Sequence, residues 1–266
     1  FLRENQISIN LESLQDRLAS TSQIYETLSA IRKIGYEYVE TLHSINPDCG
    51  TSWQTVLKQV DLKASSIHEL LTDIEANPEA MIEKALKLEC KYIAVGLARN
   101  VIWENIESVK RLTESLNNIG RMVKDAGLRL LYHNHNMEFY KLSSNETCME
   151  YIFDNTIPSM VGAELDAYWV QLSGDSPTRW CKKLTGRLKA VHLKDLGVTG
   201  GSYEVYIKTP ICKELGGGNL DISGIIKAAE SVGNEWYIVE THTNWMDGDS
   251  LKTAEASYNY LKSLVS

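Results

Sequence analysis

The stretch from Asn105 to His133, NIESVKRLTESLNNIGRMVKDAGLRLLYH, contains one full unit of the fold. Its apolar residues Ile106, Val109, Leu112, Leu116, Ile119 and Val123 recur every three or four positions, which lines them along one face of a helix from Asn105 to Ala126. Gly127 ends that helix, since a residue without a Cβ adopts the left-handed backbone of a helix stop at no steric cost. Arg129 to His133 follows as a short β-rich run, and it ends on a histidine.

The same alternation continues in both directions. Strands are expected at Ile7 to Leu11, Tyr38 to Leu42, Lys63 to Ile67, Tyr92 to Leu97, Arg129 to His133, Gly162 to Leu165, Lys189 to Leu193 and Tyr237 to Glu240. Helical periodicity fills the intervals at Ser22 to Ile34, Ser52 to Gln59, Asn77 to Leu88, Asn105 to Ala126, Glu146 to Asn155, Pro177 to Leu184, Ser223 to Val232 and Ser250 to Leu264. Gly35 and Gly233 close helices as Gly127 does. Asn77-Pro78 and Ser176-Pro177 open them, the polar side chain capping free amides and proline fitting the first turn. Eight such units without a linker predict one α/β domain over residues 1–266, a (β/α)8 TIM barrel. An open doubly wound sheet is the rival architecture, but no GxGxxG follows the first strand. Gly216, Gly217 and Gly218 fall in a long loop after the seventh strand, where they are expected to shape a lid rather than to bind phosphate.

Composition narrows the function classes. A chain of 266 residues with 43% apolar positions can bury a full core. Its formal charge of -8 leaves no basic face to neutralise a nucleic-acid backbone. Five cysteines, an odd count without CxxC spacing, argue against a disulfide framework or zinc knuckle and favour a reducing compartment. No apolar run of about 18 residues occurs, and Phe1 to Asp16 is polar. Neither a membrane span nor a signal peptide is expected, and the expected location is cytoplasmic. An opening on Phe1 instead of methionine is what a trimmed or partial chain would show.

In barrels of this kind active sites form at the C-terminal ends of the strands. All six histidines fall there: His43 after strand two, His68 after strand three, His133 and His135 at strand five, His192 at the end of strand seven and His242 after strand eight. Such positions are roughly one residue in six of a barrel this size, so chance explains the placement poorly. Glu40, Glu138, Asp166 and Glu240 join them at strand ends. A ring of His, Asp and Glu around one mouth suits a single divalent cation; without cysteine it fits manganese, cobalt, magnesium, iron or zinc and does not choose among them. Asp166, His192 and Glu240 stand out because each ends an apolar strand, where an unpaired charge is costly. For His43, His68 and His242 a rim or loop histidine with satisfied bonds explains the placement equally well, and Glu40 fits a simple acceptor for neighbouring loops. Tyr132, Phe139, Tyr168, Trp169 and Trp245 gather at the same strand ends, partly as core and partly as candidates to wall a sugar ring.

At these residues the chain resembles the sugar phosphate isomerase/epimerase family with the xylose-isomerase-like barrel. The likeness runs through Ile34-Gly35-Tyr36-Glu37-Tyr38-Val39-Glu40, Tyr132-His133-Asn134-His135-Asn136-Met137-Glu138-Phe139 and Glu164-Leu165-Asp166-Ala167-Tyr168-Trp169-Val170. It continues in Val191-His192-Leu193-Lys194-Asp195, Glu214-Leu215-Gly216-Gly217-Gly218-Asn219-Leu220-Asp221 and Ile238-Val239-Glu240. The resemblance implies one divalent cation held by a Glu, an Asp, a His and a Glu from strands five to eight. Asp166, His192 and Glu240 match the last three; His133 stands at the first position, a departure that still leaves a ligand. In the family's epimerases the two glutamates are bases on opposite faces of the substrate. Here Glu240 is the expected base on one side, and His135 with Glu138 are the nearest substitutes on the other. His242 is a second departure, at a position where many relatives carry an acidic residue. Glu40, His68, Trp169, Lys194 and His242 are then expected to line the substrate, although an exposed Lys194 paired with Asp195 is an equal alternative.

The implied function is isomerisation or epimerisation of a sugar or sugar-derived hydroxy-carbonyl compound through a metal-stabilised enediolate. A lyase or dehydratase acting on a keto-sugar or keto-glycoside is the nearest rival, since elimination begins with the same proton removal. An endonuclease IV type enzyme with several zinc ions is opposed by the acidic charge, and a non-catalytic sugar-binding barrel by the metal ring. The expected partner is a small-molecule sugar, with no nucleic acid and no membrane; barrel relatives often pair, so a homodimer is among the expected states.

Overall fold

The computed structural model describes residues 2–200 and 210–265. Eight parallel strands close into a barrel: β1 (Ile7–Asn10), β2 (Tyr38–Leu42), β3 (Lys63–Leu70), β4 (Tyr92–Leu97), β5 (Arg129–His133), β6 (Val161–Asp166), β7 (Leu188–Leu193) and β8 (Trp236–Val239). Neighbours pair in chain order, and β8 returns to β1 with Tyr237 opposite Ile7. The expected TIM barrel is the observed fold.

Around it lie α1 (Thr21–Ile34), α2 (Trp53–Gln59), α3 (Leu71–Ala76), α4 (Pro78–Lys87), α5 (Ile106–Asp125), α6 (Cys148–Asp154), α7 (Ala167–Leu172), α8 (Pro177–Lys183), α9 (Ile222–Glu230) and α10 (Ser250–Ser263). The caps read from the sequence form: Asn77 accepts from the Ala80 amide at 3.0 Å and Ser176 from the Arg179 amide at 3.3 Å. Helices α3 and α7 are additions, because six residues are too few to show a helical repeat. Strand β3 runs three residues beyond its expected end at Ile67, which puts His68 inside the strand instead of after it. Among the described residues no helix is long and apolar enough to cross a membrane.

Alternation along the strands builds the site. Ile9, Val39, Ile93, Val95, Tyr132, Leu165, Val191 and Val239 face outward and pack into the core shared with the helices. Tyr92, Ala94, Leu131, Ala190 and Ile238 form a separate apolar cluster with Trp236, filling the lower barrel interior. Further along the same inward faces the side chains become Asn10, Glu40, His68, His133, Glu164, Asp166, His192 and Glu240, all of them buried. The interior is therefore apolar below and ionisable above, and buried charges of that kind must satisfy one another.

Beyond β7, residues Asp195–Gly197 pair antiparallel with Ile211–Lys213. The Asp195 carboxylate accepts from the amides of Gly216, Gly218 and Leu220, each at 3.0 Å. The amides of the glycine-rich turn are thus engaged by an internal anion, which agrees with its not being a phosphate cradle.

Candidate functional site

His192, completely buried on β7, is the hub. Its Nδ1 lies 2.9 Å from Glu240 Oε2, and its Nε2 lies 2.8 Å from Glu40 Oε1 and 3.1 Å from Glu164 Oε1. Burial opposes a charge on this imidazole, but the Glu164 and Glu40 carboxylates outweigh it and hold the group well above its ordinary value. Glu40 is pulled the other way: despite burial, the charge and hydrogen bond of His192 bring it down to about 2. Glu164, buried and beside Glu40, is pushed up to about 8, so the pair shares its ionisation unequally. His133 bridges two carboxylates, with Nδ1 3.0 Å from Glu164 Oε1 and Nε2 3.7 Å from Asp166 Oδ2. His68 packs over His192 at 5.6 Å between ring centroids, and burial lowers it to about 4.

Asp166, His192 and Glu240 each offer a ligand atom, all within 4.8 Å of one another on buried side chains. A six-coordinate ion with ligands at about 2.1 Å separates adjacent donors by roughly 3 Å and opposite donors by roughly 4.2 Å, so a small contraction closes the set. The far nitrogen of His192 is fixed by carboxylates, as in histidines that bind metals. Asp166 is positioned by its own fold context: Oδ1 caps α7 through the amides of Tyr168 at 3.0 Å and Trp169 at 3.2 Å, which leaves Oδ2 facing the cluster. The residues present fit a divalent ion. A second, deeper group of buried donors, His68, His133, Glu164 and His192, also lies within 4.8 Å.

The alternative of an exposed Lys194 paired with Asp195 is excluded. Lys194 is 1% exposed, its Nζ lies 2.9 Å from Asp166 Oδ2, and it contacts Glu240 Oε2 more closely still. Asp195 faces the glycine-rich turn instead. Burial disfavours the ammonium, yet Asp166 and Glu240 more than compensate and hold it charged.

Above this cluster the mouth is walled by aromatic rings. Trp169 and His242 stack 5.6 Å apart at an interplanar angle of 22°, and His135 lies 5.8 Å from Trp169. His133 and His135 have neighbouring rings, 5.0 Å apart, as strand alternation predicts. Burial drives His135 down to about 3 and His242 to about 4, which leaves both as neutral imidazoles. Glu138 is buried, with Tyr132 OH donating to Oε1 at 2.8 Å and the His135 backbone N–H to Oε2 at 2.9 Å. The expected pairing of His135 with Glu138 therefore runs through the main chain, not the imidazole.

The structure thus brings together His133, Asp166, His192, Glu240 and Lys194, with Trp169, His135 and His242 over them. Glu40 and His68, expected along the substrate, lie below His192; Glu40 is filled by Asn10 at 2.7 Å, Ser66 and His192. His43 stands apart, in a surface groove beside Trp53, Glu69 and Lys84. Sequence reasoning missed Glu164, Asn10 and Glu12. Glu12 is raised by burial and by the neighbouring Glu240, and its signal was its place just past the first strand end.

The profile of the xylose isomerase-like TIM barrel matches residues 28–264. An inosose dehydratase from Clostridium perfringens is 27% identical over 176 residues, covering 59% of this chain and 55% of that enzyme. The chain spans about half the length of this relative. A solved sugar phosphate isomerase/epimerase from Parabacteroides distasonis superposes with a TM-score of 0.78 at 22% identity, over 98% of this chain and 95% of that one. A xylose isomerase-like TIM barrel protein from Mycobacterium smegmatis, solved in complex with magnesium, gives 0.74 at 15% identity over 97% and 96%. With a profile match over most of its length and the barrel closed as described, the chain belongs to the xylose isomerase-like TIM barrel family.

Proposed function

We propose that this protein is an enzyme that removes a proton from the carbon beside the carbonyl of a small sugar-like hydroxy-ketone or hydroxy-aldehyde, and so isomerises or epimerises it. The observation that carries the reading is the buried convergence of Asp166, His192 and Glu240 beneath the Trp169–His242 wall. A divalent ion held by these residues, with His133 beside them, would supply Lewis-acid stabilisation of the charge that develops on the carbonyl oxygen. Glu240, which Lys194 and His192 keep ionised against the cost of burial before an ion enters, is the base. His135, neutral and half-buried at the mouth, is placed to take or return a proton on the other side, while Glu138 fixes its backbone. The Trp169 and His242 faces suit the apolar side of a sugar ring.

A second reading, elimination of a β-substituent from a keto-sugar or keto-cyclitol, is favoured by one observation. Where the family's epimerases carry a second carboxylate on strand five, this chain has His133, which burial holds in its neutral form. The similarity to an inosose dehydratase points the same way.

Incubation of the manganese-loaded protein with ketoses, aldoses and keto-cyclitols in deuterium oxide separates these outcomes. Deuterium at the carbon beside the carbonyl, with an isomer or epimer as product, supports the first reading. A product absorbing in the ultraviolet as an unsaturated carbonyl supports elimination. Neither exchange nor elimination with any of them would count against an enzyme of this kind.

A further inference from the structure

We propose that Lys194 is a tethered cation built into this site: its ammonium occupies the place between Asp166 and Glu240 that a divalent ion would take, and the two exclude one another. The inference rests on the reading of Asp166, His192 and Glu240 as a cation site.

Lys194 follows His192 by two positions, so alternation sends both side chains into the barrel. Its Nζ is 2.9 Å from Asp166 Oδ2 and touches Glu240 Oε2, the oxygen that also lies 2.9 Å from His192 Nδ1. Both oxygens belong to residues of the cation site itself, and Asp166 Oδ2 is the carboxylate oxygen left facing it. An ion bound at about 2.1 Å to both oxygens takes the Glu240 lone pair to which the ammonium donates and the space it fills beside Asp166 Oδ2, and like charges at such a distance repel strongly in a buried site. Entry of the ion therefore requires Nζ to leave.

The structure offers it a destination. Nζ already lies 5.4 Å from the centroid of the Trp169 ring and 5.6 Å from that of Tyr168, distances at which an aromatic face attracts an ammonium. A flexible four-carbon stem lets the head group swing toward those faces, at the mouth where the substrate is expected.

The arrangement also has a consequence for folding. Glu40, Glu164, Asp166 and Glu240 bring four buried carboxyl groups to one end of the barrel. Without a cation among them the native state would carry uncompensated charge. His192 supplies one positive charge among Glu40, Glu164 and Glu240, and Lys194 a second between Asp166 and Glu240, so on this proposal the barrel does not depend on a metal to fold. Many metal sites instead depend on the ion for folding.

The test compares the full wild-type chain with Lys194→Met and Lys194→Gln, all stripped with a chelator, by calorimetric titration with manganese and by thermal unfolding with and without it. The expected result is at least tenfold tighter manganese binding in the variants at one fixed pH. The variants should also melt at a lower temperature without metal and gain more on its addition. Lys194→Gln keeps a polar, hydrogen-bonding head group, which serves if Lys194→Met does not fold. Equal or weaker binding in the variants overturns the inference while leaving the cation site standing. No binding in wild type or either variant overturns the site reading, and the inference with it.

Discussion

His192 lies between two carboxylates on opposite edges of its ring, with Nδ1 2.9 Å from Glu240 Oε2 and Nε2 2.8 Å from Glu40 Oε1. The second contact fixes which nitrogen faces the cluster of Asp166 and Glu240. Glu40 is itself held by Asn10 and Ser66, so the orientation of His192 is set by a chain of bonds running from β1 through β2 to β7. Partners of this kind are worth about 10–100-fold in metal affinity. Glu40→Gln, which keeps the shape and removes the charge, is expected to weaken manganese binding by about that factor in calorimetric titration, with the fold retained by circular dichroism. Unchanged affinity would mean that His192 needs no such anchor.

Gly96 on β4 makes room for His68. A Cβ at this position would lie 2.1 Å from His68 Cε1 and 2.2 Å from Nδ1, far inside contact distance. Gly96→Ala must therefore push the imidazole off its stack on His192, at a cost of about 1–3 kcal/mol for overpacking. Urea unfolding should show the loss, and the additional change His68→Ala should recover part of it by removing the ring that clashes. If the double variant is no more stable than Gly96→Ala alone, the clash is not the cause.

Strand β6 shows how far the sequence carries the fold and the site. Val161-Gly162-Ala163-Glu164-Leu165-Asp166 alternates apolar with small or charged residues, and the structure turns Val161, Ala163 and Leu165 outward to the helices. The barrel and the cluster of Asp166, His192 and Glu240 were legible because charge at the end of an apolar strand is hard to explain otherwise. The same alternation puts Glu164 on the face of Asp166, so its place in the cluster was also readable, though overlooked. The depth of Glu40 was not legible, because depth depends on the bulge between Val39 and Glu40 against β3. Nor was the burial of Lys194, whose long side chain reaches from β7 to Asp166 and Glu240 on the neighbouring strands only once the barrel has closed.

Glu138 gives the protein a stability that depends on pH. Burial raises it from an ordinary 4.5 to about 7, with Tyr132 and the His135 amide only partly offsetting the cost. The folded state thus binds this proton more tightly than the unfolded chain. The stabilisation is complete below about pH 4.5 and is lost as the pH rises through about 7, amounting to about 3 kcal/mol across the window. Glu138→Gln cannot titrate there. Urea unfolding from pH 5 to pH 8 should show wild type losing stability relative to the variant as the pH rises. A constant difference between the two across that range would rule out the titration of Glu138.

Asp195 anchors the chain just beyond Lys194. One carboxylate oxygen accepts from Gly216 and Gly218, and the other from Leu196 at 2.9 Å and Leu220 at 3.0 Å. Bonds to a charged acceptor contribute about 1.5–3 kcal/mol each, and water recovers part of that once the side chain is removed. Asp195→Ala is therefore expected to cost about 3 kcal/mol or more and to release the glycine-rich turn as a unit. Amide hydrogen exchange at Gly216, Gly218 and Leu220 should accelerate together, while the amides of β2 and β3 on the other side of the barrel keep their protection. Because Asp195 directly follows Lys194, the same variant should loosen the lysine's approach to Asp166. Acceleration confined to one of the three amides would show that the turn is held by its own backbone instead of by Asp195.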